Sequence, residues 1–138
     1  MKVKRHARGF HLTEVLITLT IISILAAFGT MIYAHHLEHA DRMAAVTGLS
    51  KMAAAMERFH IEHDTYDGAT LDELGFSKPV GRGGYQLVIE SASDIDFQLG
   101  ARPITNATEK DACGELLLNS HGDKRVSGIV TSVHDCWS

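Results

Sequence analysis

The sequence predicts an α+β fold in which a long N-terminal helix, transmembrane at first and then amphipathic, packs on a small antiparallel β-sheet. Three observations lead to this prediction. An uncharged run of twenty residues begins at Val15, apolar residues then recur at helical spacing as far as Phe59, and alternating patterns typical of strands begin at Tyr85. A chain of 138 residues has room for one compact domain beside such a helix.

The uncharged run, residues 15–34, has the length of a membrane-spanning helix. About twenty apolar residues at ~1.5 Å each cross a hydrocarbon core of ~30 Å. Four basic residues precede the run: Lys2, Lys4, Arg5 and Arg8. Because basic flanks stay in the cytoplasm, we expect a single pass with the N-terminus inside and the rest of the chain outside. A buried core helix and a secretory signal peptide are the alternatives, and the length of the run disfavours both.

A glutamate, Glu14, lies directly before this run. A carboxylate within a span costs roughly 2.5–3.5 kcal/mol at mid-helix and less near the interface, so it indicates a function and needs a partner. Phe10 lies about one helical turn earlier. If the chain were cut after Gly9, Phe10 would gain a charged amine, and Glu14 of this chain or of a neighbour could pair with it.

Apolar residues continue along one helical face after residue 34, which predicts that the helix extends into the folded part of the chain. The face consists of Leu37, Ala40, Met43, Val46, Leu49, Met52, Met56 and Phe59. The opposite, solvent-facing side is predicted from the charged residues Glu38, Asp41, Arg42, Lys51, Glu57 and Arg58. Because no proline interrupts residues 10–60, we expect one continuous helix of about fifty residues.

A short second helix is expected after the long one. The long helix should end before residues 65–68, whose sequence Thr-Tyr-Asp-Gly favours a turn. Thr70 and Glu73 then have the spacing of a capping box, and Gly75 follows as a stop signal.

The period changes to two after residue 84, which predicts a small sheet. Alternating apolar residues predict strands at 85–90 and 95–99, connected by a hairpin-like turn at 91–94. A third strand is expected at 115–119, and a turn rich in polar residues should lead from it into a fourth strand at 124–126.

Cys113 and Cys136 are the only cysteines, and both fall in the part that is expected to face outward. In an oxidising compartment a single pair indicates a disulfide. Closing a loop with 22 intervening residues would stabilise the fold by about 3 kcal/mol. Two free thiols are the alternative, whereas zinc is disfavoured because no ordered pair of further ligands accompanies the cysteines.

The sequence GFHLTE at residues 9–14, with the basic leader before it and the uncharged run after it, resembles the class III signal of type IV pilins and pseudopilins. This resemblance implies that a prepilin peptidase cleaves after Gly9 and methylates Phe10, and that Glu14 assists assembly. Met31 departs from the pattern, because many pilins have a helix-kinking proline there.

The C-terminal region resembles that of type IVa pilins in particular. The resemblance rests on DACGELLL at residues 111–118, on the Gly122 turn and on the closing Cys136-Trp137. In that family a disulfide encloses a loop that is exposed on the filament. The two resemblances imply a pilin-like fold and cover both ends of the chain after the leader, whereas residues 65–108 match only in strand pattern.

The resemblance also implies three parts and a route to the cell surface. Residues 1–9 would be the leader peptide, 10–34 the transmembrane and polymerisation helix, and 35–138 the periplasmic or extracellular head. The subunit would stay in the inner membrane before assembly and be extracellular in the pilus afterwards. Its partners would be other pilin subunits, the prepilin peptidase and the inner-membrane assembly machinery. Such pili serve twitching motility, adhesion or natural competence with DNA uptake.

The charge balance restricts any ligand to a local patch. The net charge is −4, and without the leader nine basic side chains face seventeen acidic ones, which argues against nucleic-acid binding over the whole head. The basic cluster that the sequence offers is Lys124 and Arg125, with Lys110 and Arg102.

Three functions stay open from the sequence. The first is a structural subunit of a type IV pilus, either major or minor. The second is a minor pilin that binds DNA or a surface, and the third is a pseudopilin of type II secretion. Because it contains neither a Ser-His-Asp set nor paired carboxylates on a defined element, we expect no enzymatic activity. We also expect no cofactor and no metal site.

Overall fold

The computed structural model describes residues 11–105, 108–109 and 111–138, without the side chains of residues 29–32, 34 and 35. The elements are, in order, α1 (Leu12–His63), α2 (Leu71–Leu74), β1 (Tyr85–Ala92), β2 (Phe97–Pro103), β3 (Leu116–Asn119), β4 (Lys124–Val126) and α3 (His134–Trp137). The chain divides into two compact units, Met1–His36 and Leu37–Ser138, and the second unit is called the head below.

The first unit contains the beginning of α1, whose apolar side chains, among them Leu12 and Phe28, are exposed. The hydroxyl groups of Thr18, Thr20 and Ser23 donate hydrogen bonds to carbonyl oxygens of the preceding turn. These hydroxyls are therefore satisfied without water. No helix of the described residues is long and apolar enough to cross a membrane. The span expected at residues 10–34 stays a prediction.

The single long helix is confirmed, since α1 runs through 52 residues without a break. It ends at His63, before the predicted turn. Asp64 follows in the left-handed backbone region, with φ 58°, so the chain cannot continue as a right-handed helix there.

The core of the head lies between the second part of α1 and one face of the sheet. The helix contributes Ala45, Leu49, Met52, Met56 and Phe59, and the sheet contributes Tyr85, Leu87, Phe97, Leu99, Ala101, Leu116 and Leu118. The helix lies close to β1 at Gly48, because a Cβ at this position would lie 3.1 Å from a methyl carbon of Leu87. The predicted fold class, a long helix on a small antiparallel sheet, is thus the observed one.

At residues 40–42, where the buried face of α1 begins, this face is rotated relative to the predicted one. Asp41 was expected on the solvent-facing side but is 6% exposed, and Arg42 is half-buried, whereas Ala40 of the predicted apolar face is exposed. The physical reason is that both side chains are hydrogen-bonded to charged residues of the head, and a charged side chain can be buried when it has such partners.

The second helix forms at the predicted capping box. The Thr70 hydroxyl accepts a hydrogen bond from the backbone N–H of Glu73, at 3.3 Å. Gly75 ends the helix in the left-handed region, at φ 81°. Both signals in the sequence therefore act as expected.

The sheet is antiparallel throughout, with the strand order β1-β2-β3-β4. The turn between β1 and β2 differs from the prediction. β1 contains a bulge between Ile89 and Ser91 and continues to Ala92. The turn consequently shifts to residues 93–96, and Ile95, expected in the second strand, lies in the turn and is 77% exposed.

The last part of the sheet follows the sequence pattern closely. β3 begins at Leu116, one residue later than expected, and β4 occupies the predicted positions. The short helix α3 was not predicted, because four residues carry no helical periodicity. Its Cys136 and Trp137 are buried against the core.

Candidate functional site

The predicted disulfide between Cys113 and Cys136 is present. It joins the segment before β3 to α3, and both cysteines are buried. The C-terminus is thereby held against the sheet, and the predicted pairing is confirmed.

Asp111 fixes the beginning of this disulfide-closed segment. Its Oδ1 accepts a hydrogen bond from the backbone N–H of Cys113 at 3.0 Å. Its Oδ2 accepts one from Arg42 Nη1 at 2.9 Å and another from the Tyr85 hydroxyl at 3.0 Å. Because Arg42 belongs to α1 and Tyr85 to β1, one carboxylate connects the helix, the sheet and the disulfide.

The surroundings of Asp111 exclude water almost completely. The Asp111 and Arg42 side chains are 3% and 14% exposed. Burial raises the pKa of Tyr85, and the neighbouring Asp111 carboxylate raises it further. The Tyr85 hydroxyl therefore stays protonated and donates its hydrogen bond to Asp111.

A second charged pair lies next to the first on α1. Asp41 accepts hydrogen bonds from the backbone N–H of Arg82 at 3.2 Å and from its Nη2 at 2.8 Å. The same Nη2 reaches the carbonyl oxygen of Leu37 at 3.1 Å. The hydrogen bonds from Arg82 hold the pKa of Asp41 below its usual value, against the opposing effect of burial.

These two pairs were not identified from the sequence. Asp41 and Arg42 were predicted to face solvent because most charged residues of helices are exposed. Tyr85 was assigned correctly to a strand, but its hydroxyl acquires a role only through the distant Asp111. The local signal was that an acidic and a basic residue, Asp41 and Arg42, are adjacent at the beginning of the buried face of α1.

The predicted ligand patch is divided by the sheet. Lys124 pairs in register with the buried Leu118, and Arg125 with the half-buried Leu117. Since side chains alternate along a strand, Lys124 and Arg125 leave β4 on opposite faces. The Lys124 ammonium lies 5.3 Å from the centre of the Trp137 ring, in cation–π geometry.

Arg102, a third member of the predicted patch, is paired with two carboxylates. Its Nη2 lies 2.6 Å from Glu90 and its Nε 2.9 Å from Glu115. Both carboxylates lie close to Gly100, and a Cβ at this position would come within 3.0 Å of each. The group of one arginine and two glutamates carries a net negative charge, which makes Arg102 a poor contact for an anion.

The other predicted site residues are described in part or not at all. Glu14 lies in the first turn of α1, where its negative charge suits the positive end of the helix dipole. Gly9, Phe10 and Lys110 lie outside the described residues, as does the side chain of Met31. Within the described part of the chain, no group of three or more His, Cys, Asp or Glu residues could hold a metal ion.

Two families match the chain, in adjacent regions that do not overlap. Residues 32–117 match the family described as type IV minor pilin ComP, DNA uptake sequence receptor. Residues 4–30 match the prokaryotic N-terminal methylation motif. Lys124, Arg125 and Cys136 lie beyond both matched regions. No curated protein sequence matches significantly.

A solved structure is also similar. It is the crystal structure of the non-core minor pilin PilV from Neisseria meningitidis, at 21% sequence identity and a TM-score of 0.49. The similar region covers 67% of this chain and 92% of that one.

Proposed function

Since the chain belongs to the family described as type IV minor pilin ComP, DNA uptake sequence receptor, we propose that this type IV pilus subunit binds double-stranded DNA. The family match over residues 32–117 is the observation that carries the proposal. The subunit would capture DNA at the cell surface without an enzymatic step.

Processing at Gly9 and Phe10 is part of the same proposal. The match to the N-terminal methylation motif at residues 4–30 supports it. A prepilin peptidase would cut after Gly9 and methylate the new amine of Phe10. Intact mass of the mature chain tests this step, because any other first residue would contradict it and one extra methyl group would support it.

The helix at residues 10–34 would hold the subunit in the inner membrane and later in the filament. The exposed apolar side chains of the first unit support this role, because such a surface is stable only in lipid or against other apolar helices. The N-terminus would face the cytoplasm before assembly, and the head would be extracellular afterwards. Glu14 would pair with the Phe10 amine of this chain or of a neighbouring subunit during assembly.

For the DNA contact we propose Lys124 and Arg125, together with Lys110 where it precedes the disulfide segment. β4 is the last strand of the sheet, and both of its cations are exposed. Long side chains on an edge strand reach solvent from either face, so both can meet phosphates of one duplex. Arg102 is left out of this set because Glu90 and Glu115 already bind it.

Salt-dependent binding of the full-length, processed protein in detergent micelles tests this contact. Affinity for a labelled duplex, measured by fluorescence anisotropy, should fall as salt rises, because phosphate contacts release counterions. Removing Lys124 and Arg125 by alanine substitution should weaken binding and make the salt slope shallower by roughly two.

The matched control removes two exposed cations from α1 instead, through Lys51→Ala and Arg58→Ala. It changes the net charge equally but should leave the slope as in wild type. A shallower slope for this control, with no change for the β4 variant, would contradict the assignment to Lys124 and Arg125. No binding by the wild-type protein at low salt would contradict DNA binding itself.

A further inference from the structure

Residues 128–136, a loop that ends in α3, form a segment whose two ends are attached to the same residue, Cys113. At one end the Gly128 N–H donates a hydrogen bond to the Cys113 carbonyl oxygen, at 3.0 Å. At the other end Cys136 is bonded to Cys113 through the disulfide. We call this segment the anchored loop. A loop that is fixed at both ends loses little conformational entropy when it binds a partner.

The anchored loop also fits tightly at its beginning. A Cβ at Gly128 would collide with the carbonyl oxygen of Ala112 and lie 2.7 Å from the carbonyl carbon of Cys113. Val130 packs against the hydrophobic core of the head. Packing of Gly128 and Val130 therefore fixes the backbone on both sides of Ile129.

Ile129 is fully exposed, at 102% of the reference area for its type. Val133, in the same loop, is 39% exposed. Single exposed apolar residues are common and by themselves indicate nothing. Ile129 differs because the packing on both sides holds it out from the surface.

The charges around Ile129 distinguish it from Ile61 and Ile95, two other exposed isoleucines of the head. Residues 124–134 contain two cations and no acidic residue, in a chain that is acidic as a whole. The Lys124 ammonium lies over Trp137, next to the Cys136 end of the anchored loop. By contrast, Ile61 precedes Glu62, and Ile95 stands between two aspartates.

We propose that Ile129 is an apolar wedge that enters the base stack of bound DNA from the minor groove. The inference rests on the proposed DNA binding and specifies how the duplex is engaged. Proteins that bind the minor groove insert apolar side chains between base steps, and phosphate contacts beside them offset the cost of unstacking. Lys124 and Arg125 supply such contacts next to the anchored loop.

The test uses the full-length, processed protein in detergent micelles and a duplex that contains 2-aminopurine. This base fluoresces weakly when it is stacked and more strongly when a neighbour is displaced. Wild-type protein should raise the fluorescence on binding. Ile129→Ala should abolish the rise and weaken binding about tenfold, because most of the apolar contact with the bases is lost.

Two further variants test whether the effect is specific to position 129 and to an apolar side chain there. Ile95→Ala truncates another exposed isoleucine and should bind like wild type, and Ile129→Leu keeps the apolar volume and should retain the fluorescence rise. The salt slope of Ile129→Ala should equal that of wild type, because no charge is lost.

The outcomes distinguish this inference from the function on which it rests. If wild type binds DNA and Ile129→Ala binds equally well with the same fluorescence, the wedge is refuted and DNA binding stands. If Ile129→Ala binds normally but no longer enters pili, the anchored loop contacts another subunit and the wedge is again refuted. If wild type does not bind DNA, both proposals fail.

Discussion

At the scale of single residues, Asp111 determines how the disulfide segment is placed on the head. Its carboxylate accepts hydrogen bonds from Arg42, Tyr85 and the backbone of Cys113. Removing one member of a buried charge pair is costly because the other charge stays buried without a partner. No periodic pattern in the sequence indicates this arrangement, since its members come from a helix, a strand and a loop.

Asp111→Asn should destabilise the head by about 3–5 kcal/mol, because it leaves the Arg42 guanidinium buried and unpaired. Chemical denaturation of the full chain in micelles, followed by Trp137 fluorescence, measures the change. Asp135→Asn is the control, since the Asp135 side chain is 80% exposed, and it should leave stability unchanged. Equal stability of the two variants would show that the Asp111 contacts do not stabilise the head.

Asp41 should make stability depend on acidity. Its folded-state pKa lies below the usual 3.8, chiefly because of the hydrogen bond from the Arg82 side chain. A lowered pKa means that its contribution is fully present above pH 3.8 and is lost as the pH falls through the folded-state value. Asp41→Asn should therefore be less stable than wild type at neutral pH by about 1 kcal/mol, with the difference narrowing in acid.

Denaturation midpoints of wild type and Asp41→Asn, measured between neutral pH and the acid limit of folding, test this dependence. The two curves should converge as the pH decreases. Parallel curves over the whole range would rule out Asp41 as a source of acid sensitivity.

At the scale of elements, the sequence predicted those parts whose pattern is periodic. The 3.6-residue period and the lack of proline predicted α1, and alternation predicted β1 and the beginning of β2. The turn at residues 93–96 was misplaced, because the bulge at Ile89 and Ser91 shifts the register and alternation alone does not reveal a bulge. Of the predicted ligand patch, the position of Arg125 on the edge strand follows from the pattern. The pairing of Arg102 with Glu90 and Glu115 depends on β1, β2 and the residue before β3 coming together.

The disulfide should contribute about 3 kcal/mol to the stability of the head, because it restricts the unfolded chain. Replacing Cys113 and Cys136 by serine together should lower the denaturation midpoint accordingly. Wild type treated with a thiol reductant is the matched comparison and should give a similar midpoint. A double variant as stable as the oxidised wild type would contradict this role.

At the scale of the whole molecule, the two units carry different tasks under the proposed function. The first unit supplies an apolar helix for the membrane and the filament, with Glu14 at its beginning. The head supplies a small sheet whose edge strand carries two exposed cations. Since residues 10–138 have nine basic and seventeen acidic side chains, DNA should meet only this edge, and the remaining surface should repel it.

Glu14→Val should be inserted and processed but should not enter filaments. The substitution removes a charge from the apolar helix, so insertion becomes easier. The Phe10 amine, however, would enter an apolar surrounding without a partner, because no other acidic residue lies within residues 10–34. Mass spectrometry of the cell-bound chain and immunoblots of sheared pili measure the two steps.

Glu62→Val, at an exposed glutamate near the end of the same helix, is the control and should enter pili normally. If processed Glu14→Val reached the pili in wild-type amounts as the only copy, the pairing role of Glu14 would be wrong.

The most direct test of the account is the amount of labelled double-stranded DNA that purified pili retain, compared between cells that produce the chain and cells that lack its gene. We predict that the processed chain is present in wild-type pili and that those pili retain more DNA per filament at low salt, with the difference disappearing as salt rises. Equal retention by both kinds of pili, with the chain demonstrably present in the wild-type filaments, would contradict the proposal that this pilus subunit binds DNA.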